Sequence, residues 1–257
     1  MKTIRTLAPA VLAASLLSVS ASASAGFVVT YENAGVTNTT ATFKPRPDAS
    51  GSDIVGVERF DTLSLGVHTS YVSDFGNGGL DIKGTYENLN VIAADNYGGA
   101  TGTDRYAVAG IDQTTSYSID FNKNLTYFGY WLSALDAGNQ VAFYNGDQQL
   151  FSFAPIDVLA LVSGTPAYFG NPIAPRVGVN GNEPYVFLNF FADAETTFDR
   201  IVFTQTVRSA GYESDNHTVG IWKGQSGTEV TPSQVPEPGT LVLIGAALVA
   251  AGAVRRH

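Results

Sequence analysis

The chain has 257 residues, of which 44% are hydrophobic and 14% are charged, and its 14 Lys and Arg against 23 Asp and Glu give a formal net charge of −9. This hydrophobic content excludes an intrinsically disordered chain, and the acidic balance argues against a nucleic-acid-binding protein, which usually carries a basic surface. The chain has no cysteine, so disulfides, thiolate metal sites and cysteine nucleophiles are excluded.

Residues 1–25 contain the three parts of a secretory signal peptide in the right order. Lys2 and Arg5 form a positive start, an apolar stretch follows, and a small-residue Ala-Ser-Ala sequence ends at Ala25. The pattern predicts cleavage by signal peptidase before Gly26. The alternative is a buried N-terminal helix of a folded domain, which would not require this order of parts.

Residues 26–222 are predicted to form one all-β domain, either a sandwich or a barrel, because short strands alternate with Gly and Asn turns. The segment 116–121 alternates apolar and polar residues, as a half-buried strand does. Asn145-Gly146 favours a tight hairpin turn between two apolar runs. Further strands are predicted at 27–31, 125–132, 141–144, 149–153, 185–191, 198–205 and 212–222.

A single short helix is predicted over residues 156–162, with Asp157 as its N-cap and Gly164 as the stop signal. Trp131 lies in a run that is apolar on both faces, which predicts a core position. Residues 223–235 are polar and lead into a proline-rich sequence, so they are predicted to form an extended stalk.

The C-terminal segment 236–257 has a different character from the domain before it. Residues 239–254 carry no charge and would span about 24 Å as a helix, close to the ~30 Å of a bilayer core. Arg255 and Arg256 follow at once, and basic residues stay on the cytoplasmic side. The sequence therefore predicts a single transmembrane helix, the alternative being a buried helix of a soluble domain.

Pro236-Glu237-Pro238, the apolar helix and the Arg255-Arg256 pair together resemble the PEP-CTERM sorting signal of exosortase-bearing Gram-negative bacteria. The resemblance implies export, transient anchoring in the inner membrane, recognition at the Pro-Glu-Pro motif by an exosortase-type enzyme, and removal of the tail. It therefore implies a final location at the cell surface or outside the cell.

The domain itself resembles the jelly-roll β-sandwich of PEP-CTERM surface proteins, and that resemblance implies the fold without an activity. It rests on short blocks in the order found in that family: 104–110 (DRYAVAG), 127–131 (YFGYW), 143–146 (FYNG), 185–187 (YVF), 198–202 (FDRIV) and 212–216 (YESDN).

Calcium binding is the first site hypothesis, because Ca²⁺ prefers carboxylate and carbonyl oxygens. Glu213, Asp215 and Asn216 lie together in the last long strand, and Glu58 and Asp61 lie near an early strand. Early and late strands are often neighbours in a jelly roll, so these five residues are predicted to share a structural calcium ion. The alternative is that they are ordinary exposed strand residues.

Glycan binding is the second site hypothesis, because long loops on a sandwich are often functional. Tyr97 lies in the glycine-rich loop 95–104, and Tyr168, Phe169 and Arg176 lie in the loop 163–184. Exposed aromatic rings in such loops could stack on sugar rings. The alternative is that these side chains fasten the loops to the sandwich.

The sequence contains no nucleophile elbow, nucleotide-binding loop or zinc-protease motif. His68 and His217 are the two histidines of the exported domain, and surface or packing roles are predicted for both. These observations predict a non-enzymatic surface or extracellular-matrix protein. The alternatives are a carbohydrate-binding module of the same fold and, third, a glycan hydrolase with a carboxylate pair.

Overall fold

The computed structural model describes residues 26–45, 55–76, 81–111 and 113–230, and these residues form an all-β domain. The predicted signal peptide 1–25 and the C-terminal segment 236–257, with its predicted helix 239–254, lie outside the described residues. Within the described ranges, no helix has the length and apolar character needed to cross a membrane.

Fifteen strands and one α-helix make up the described part of the chain. The strands are β1 (Phe27–Tyr31), β2 (Thr42–Phe43), β3 (Val55–Glu58), β4 (Gly66–Ser73), β5 (Gly84–Ala93), β6 (Arg105–Gly110), β7 (Ser116–Leu125), β8 (Tyr127–Ser133), β9 (Asn139–Asn145), β10 (Gln148–Phe153), β11 (Val186–Ala192), β12 (Phe198–Gln205), β13 (Gly211–Gly220), β14 (Trp222–Gly224) and β15 (Thr228–Val230). The helix is α1 (Ile156–Val162), and a 3-10 turn follows at Pro166–Tyr168.

Thirteen strands form one curled antiparallel sheet, in the order β10-β9-β12-β7-β5-β6-β13-β8-β11-β1-β15, with β3 beside β13 and β4 beside β5. Strands β2 and β14 pair separately. The all-β class is confirmed. The thirteen strands belong to one curled sheet. The jelly-roll strand order stays a prediction.

Several local predictions are confirmed because short-range chemistry determines them. Strand β12 and helix α1 have the predicted bounds, and Gly146 takes a positive φ of 55° in the β9–β10 hairpin. The predicted cap is wrong: Pro155 is the N-cap of α1, no side chain caps the helix, and Asp157 lies in its first turn.

The inner face of the curled sheet is packed with aromatic rings. Alternate residues of β7 point inward, and Tyr117, Ile119 and Phe121 all belong to the main core. Phe203 stacks on Tyr117 at a ring-centroid distance of 4.8 Å. Each fully buried ring of this kind contributes about 1.5–3 kcal/mol to folding through the hydrophobic effect, so the aromatic packing on this face stabilises the curled sheet.

The domain continues beyond the predicted boundary at residue 222. Residues 223–230, predicted to belong to the stalk, contribute to strand β14 and form strand β15, and β15 pairs with β1. The Ser226 hydroxyl donates to the buried Glu32 carboxylate, which also accepts from the Thr40 amide at 2.9 Å. The polar sequence suggested a stalk here. An edge strand can be just as polar on its outward side, so polarity alone does not distinguish the two.

Candidate functional site

The structure places Glu58 inside the domain as a fully engaged acceptor. Its carboxylate accepts from the Phe60 amide at 2.6 Å, the Tyr71 hydroxyl at 2.8 Å and the Ser73 hydroxyl at 2.5 Å. Burial and the Glu58 charge raise the pKa of Tyr71 to about 12. Glu58 thus fastens β4 to the end of β3.

The other predicted calcium ligands lie near one another on or beside strand β13, but their contacts differ. Asp215 accepts from the Ala100 amide at 2.7 Å and from the Asn216 amide at 2.6 Å. The Asn216 side-chain amide donates to the Thr37 carbonyl at 2.7 Å. Asp61 is exposed and contacts the Arg105 backbone amide at 3.4 Å.

The predicted neighbourhood of the early and late strands is correct, since β3 pairs with β13. Glu58 and Asp215 accept hydrogen bonds from different donors in the described residues. In the part of the chain that the structure describes, no group of three or more His, Asp or Glu side chains is arranged to hold a metal ion. A calcium ion shared by the five residues stays a prediction.

Three acids are buried on or beside the outer face of the sheet. Burial raises the pKa of Asp104, Glu213 and Asp215, and the charges of nearby carboxylates raise each of them further. One carboxyl oxygen of Asp104 and one of Glu213 are buried without a hydrogen-bond partner. A buried acceptor without a partner is unfavourable, which adds to the cost of ionising Asp104 and Glu213 in the folded state.

A polar network that the sequence analysis missed crosses the aromatic core. His217 Nε2 lies 3.0 Å from Ser214 Oγ, and Nδ1 lies 3.1 Å from the Tyr86 hydroxyl. The Tyr117 hydroxyl lies 2.7 Å from Ser214 Oγ. Burial lowers the pKa of His217 to about 3, so the ring is neutral. Ser214 and His217 are three residues apart in sequence, and the Asn216 bulge, with φ +49°, turns both inward.

This Ser–His–Tyr chain has the hydrogen-bond order of a nucleophile, a base and an orienting group. However, Ser214, His217 and Tyr86 are all fully buried, and the Phe60 and Phe128 rings pack edge-on against the imidazole. No substrate reaches Ser214 in this arrangement. The network has a structural role, as the predicted packing role of His217 implied.

Three of the four residues predicted to bind a glycan fasten loops. The Tyr168 hydroxyl donates to the Glu32 carbonyl at 3.0 Å, and Phe169 packs on the core. Arg176 donates to the Gly102 carbonyl at 2.7 Å and the Ala94 carbonyl at 2.8 Å. A Cβ on Gly102 would lie 2.0 Å from the Ala174 carbonyl oxygen, so the two long loops meet too closely there for any larger residue.

The joined loops cover the outer face of β8 and β11. Trp131 is fully buried there in a small second core with Ala100, Tyr185 and Phe187. The Tyr185 hydroxyl donates to the Asn96 carbonyl at 2.6 Å. The predicted core position of Trp131 is confirmed, and hydrogen bonds hold the loops over it.

Tyr97 is the exception among the four, because its side chain is 45% exposed. It stands at the rim of an open depression of about 480 Å³, between loop 95–104 and the turn after β6. The floor is the outer face of β4, β5, β6 and β13, and it includes Glu213. The depression thus joins one residue of each predicted site, in a combination that the sequence did not indicate.

Comparison with known proteins identifies the C-terminus. Residues 234–256 match the family model of the PEP-CTERM protein-sorting motif. The chain therefore carries the sorting motif that the C-terminal resemblance predicted, including Pro236, Glu237, Pro238, Arg255 and Arg256. No curated protein and no solved structure shows significant similarity to the chain.

Proposed function

We propose that this protein is a non-enzymatic component of the cell surface or extracellular matrix, built on a β-sandwich-like domain. The PEP-CTERM motif at residues 234–256 carries this proposal, because it implies an extracellular protein sorted by an exosortase. The signal peptide, the temporary inner-membrane anchor at 239–254 and final surface display complete the proposed route. Cell fractionation of a Glu237→Ala variant tests it.

The positions of the two ends of the domain support a single attachment point. Strand β1 begins one residue after the proposed cleavage site, and β15 is the last described strand before the sorting motif. The two strands are antiparallel neighbours, with Val29 opposite Val230. The last described strand therefore ends beside the start of the first, which places both ends of the domain at one edge of the sheet.

Cleavage before Gly26 would also place a new positive charge next to an acid. The Gly26 amide donates to the Asp193 carboxylate, and the Asp193 amide donates to the Gly26 carbonyl at 2.8 Å. Hydrogen bonds from Thr196 first, and also from Gly26, lower the pKa of Asp193. A free α-ammonium group on Gly26 would turn this contact into a charge-assisted hydrogen bond.

We expect Asp193→Asn to lower the melting temperature of a chain beginning at Gly26 more than that of a chain extended by Ser24-Ala25. The extension moves the α-ammonium group away from Asp193, so the substitution removes a charge pair only from the cleaved form. Calorimetry of the four proteins measures this difference, with Glu195→Gln as the matched control on the same loop. An equal loss in both chain lengths would exclude a role for the cleaved N-terminus.

The placement of the reactive side chains that the structure describes is one reason for proposing a non-enzymatic role. The Ser214–His217 pair lies in the closed aromatic core, and the Glu58 carboxylate accepts hydrogen bonds from three donors within the fold. Such groups serve packing and strand alignment. Non-enzymatic display therefore agrees with the chemistry of the described residues.

A carbohydrate-binding module is the second candidate function. The observation that favours it is the depression at Tyr97, which combines an exposed ring with carboxyl groups, the usual pairing for a sugar's C–H face and hydroxyl groups. Surface display and glycan binding are compatible, since an anchored domain that faces outward can hold a matrix polymer. A glycan screen of the purified domain tests this candidate.

A further inference from the structure

The depression at Tyr97 has the size and wall chemistry of a small-ligand site. Its volume of about 480 Å³ lies within the roughly 300–1,000 Å³ of ligand pockets. Apolar groups make up most of its walls, and two of them, Val67 and Ile111, are 46% and 40% exposed at the rim. The lining residues are Gly66, Val67, Asn90, Ile92, Asp95, Tyr97, Tyr106, Ile111, Gln113 and Glu213.

All the charged side chains that line this depression are acids. Asp95 and Glu213 contribute carboxyl groups, and no described lining residue is Lys, Arg or His. Residues 26–236 also carry 10 Lys and Arg against 22 Asp and Glu, a formal net charge of −12. An anionic ligand would be repelled both locally and by the domain as a whole.

Glu213 is the residue that points to a ligand with a hydrogen-bond donor. It is only 5% exposed, and its Oε2 atom has no hydrogen-bond partner in the described fold. Burial raises the pKa of Glu213, because the buried carboxylate has no nearby positive group among the described residues to offset the loss of solvation. An incoming cation can supply the missing donor, whereas a neutral apolar ligand would leave the acceptor unsatisfied.

Asp95 is held in a fixed orientation beside the same depression. Its Oδ1 atom accepts from the Tyr106 hydroxyl at 2.9 Å and from the amides of Tyr97 and Gly98 at 2.8 and 3.2 Å. A carboxylate fixed by three donors is a preorganised partner for a positive group. Tyr97 lies two residues further along the same turn, so the backbone hydrogen bond to Asp95 places the start of its side chain beside this carboxylate.

We propose that this depression binds a sugar residue carrying a protonated amino group, with the sugar's C–H face on Tyr97 and the ammonium group toward Glu213 and Asp95. The inference rests on the carbohydrate-binding candidate above and adds the charge of its ligand. A ring face suits both a sugar's C–H groups and a nearby cation.

Titration calorimetry of the purified 26–230 domain against four probes tests the proposal. The probes are a chitosan hexamer with free amino groups, the fully N-acetylated chitin hexamer, an oligogalacturonate and a lysine pentapeptide. We expect the chitosan hexamer to bind at least about tenfold more tightly than the chitin hexamer, a difference of about 1.4 kcal/mol. We expect no binding of the oligogalacturonate, and weaker binding of the peptide than of chitosan because it cannot stack on Tyr97.

Three variants locate the binding. Glu213→Gln keeps the side-chain shape and should remove most of the preference for chitosan over chitin. Tyr97→Ala changes an exposed ring and should weaken both sugars. Leu161→Ala, which removes an exposed apolar side chain from helix α1, is the matched control and should bind as the parent does.

The possible failures are distinguishable. Equal binding of chitosan and chitin that depends on Tyr97 would retain glycan binding and overturn the amino-group inference. Binding of the lysine peptide as tight as that of chitosan would overturn the sugar part. Absence of chitosan binding, or binding insensitive to both Glu213→Gln and Tyr97→Ala, would overturn the site itself. None of these results bears on exosortase-dependent display, which fractionation measures separately.

Discussion

His217→Phe is expected to be less stable than the parent at pH 7, to reach equal stability at a pH between about 6 and 4.5, and to be more stable at lower pH. At neutral pH the neutral imidazole connects Ser214 Oγ and the Tyr86 hydroxyl within the core. Phenylalanine leaves the Tyr86 hydroxyl without that partner, which costs about 1–3 kcal/mol.

The change of sign follows from the direction of the His217 pKa shift. Burial lowers this pKa to about 3 from an ordinary value of 6.5. Below pH 6.5 the unfolded chain binds a proton that the folded chain does not, so the parent loses stability as pH falls toward 3. At about 1.4 kcal/mol per pH unit, that loss reaches roughly 3 kcal/mol at pH 4, and the variant, which has no imidazole at this position, cannot incur it.

The buried acids act in the opposite direction and cancel in this comparison. The raised pKa values of Asp104, Glu213 and Asp215 mean that their folded forms hold protons longer, so they favour folding as pH falls toward the ordinary carboxyl range. They are present in both proteins, and the difference between parent and variant therefore isolates His217.

Chemical denaturation at pH 7, 5.5 and 4 measures the His217 effect. His68→Phe on the exposed strand β4 is the matched control, because it removes a histidine without changing the buried network. A parent–variant difference that stayed constant over this range would show that His217 is not buried in its neutral form.

Glu237→Ala is expected to abolish normal surface display while leaving the domain folded. The substitution changes the central residue of the Pro-Glu-Pro motif that lies within the matched sorting segment. Without recognition by the exosortase, the apolar segment 239–254 would keep the protein in the inner membrane, since the cost of removing about 16 apolar residues from lipid is large. We expect at least about a tenfold loss of the surface form.

Fractionation of the native host followed by immunoblotting measures this redistribution. Glu229→Ala in strand β15 is the matched control, because it removes an exposed glutamate on the domain side of the motif. Loss of exosortase activity in the host should reproduce the Glu237→Ala result with the parent chain. Surface levels of Glu237→Ala equal to those of Glu229→Ala would contradict motif-dependent sorting.

The sequence predicted those parts of the fold that local patterns determine. Alternation identified β7, and the Asn145-Gly146 turn identified the β9–β10 hairpin. Strand β15 was missed because three residues, two of them exposed, carry no periodic signal. Its pairing with β1 depends on a contact between residues about 200 positions apart, which no local pattern reveals.

The candidate sites were harder to predict because the sequence does not show whether a polar residue is exposed to a ligand or buried and hydrogen-bonded within the fold. The sequence suggested Glu213 and Asp215 as metal ligands. Both lie in strand β13, and all residues of that strand are buried. The hydrogen bonds that satisfy Asp215 come from loop residue Ala100 and from the neighbouring Asn216 amide. The Tyr97–Glu213 depression requires β6 to lie beside β13, and that information exists only in the assembled sheet.

Intact-mass analysis of the protein isolated from the surface of its native host tests the central claim most directly. We expect a chain that begins at Gly26 and lacks the segment 239–257, with its new C-terminus at or near the Pro236-Glu237-Pro238 motif. A surface form that retains the complete sequence to His257 would contradict exosortase processing, and with it the proposed route to the cell surface.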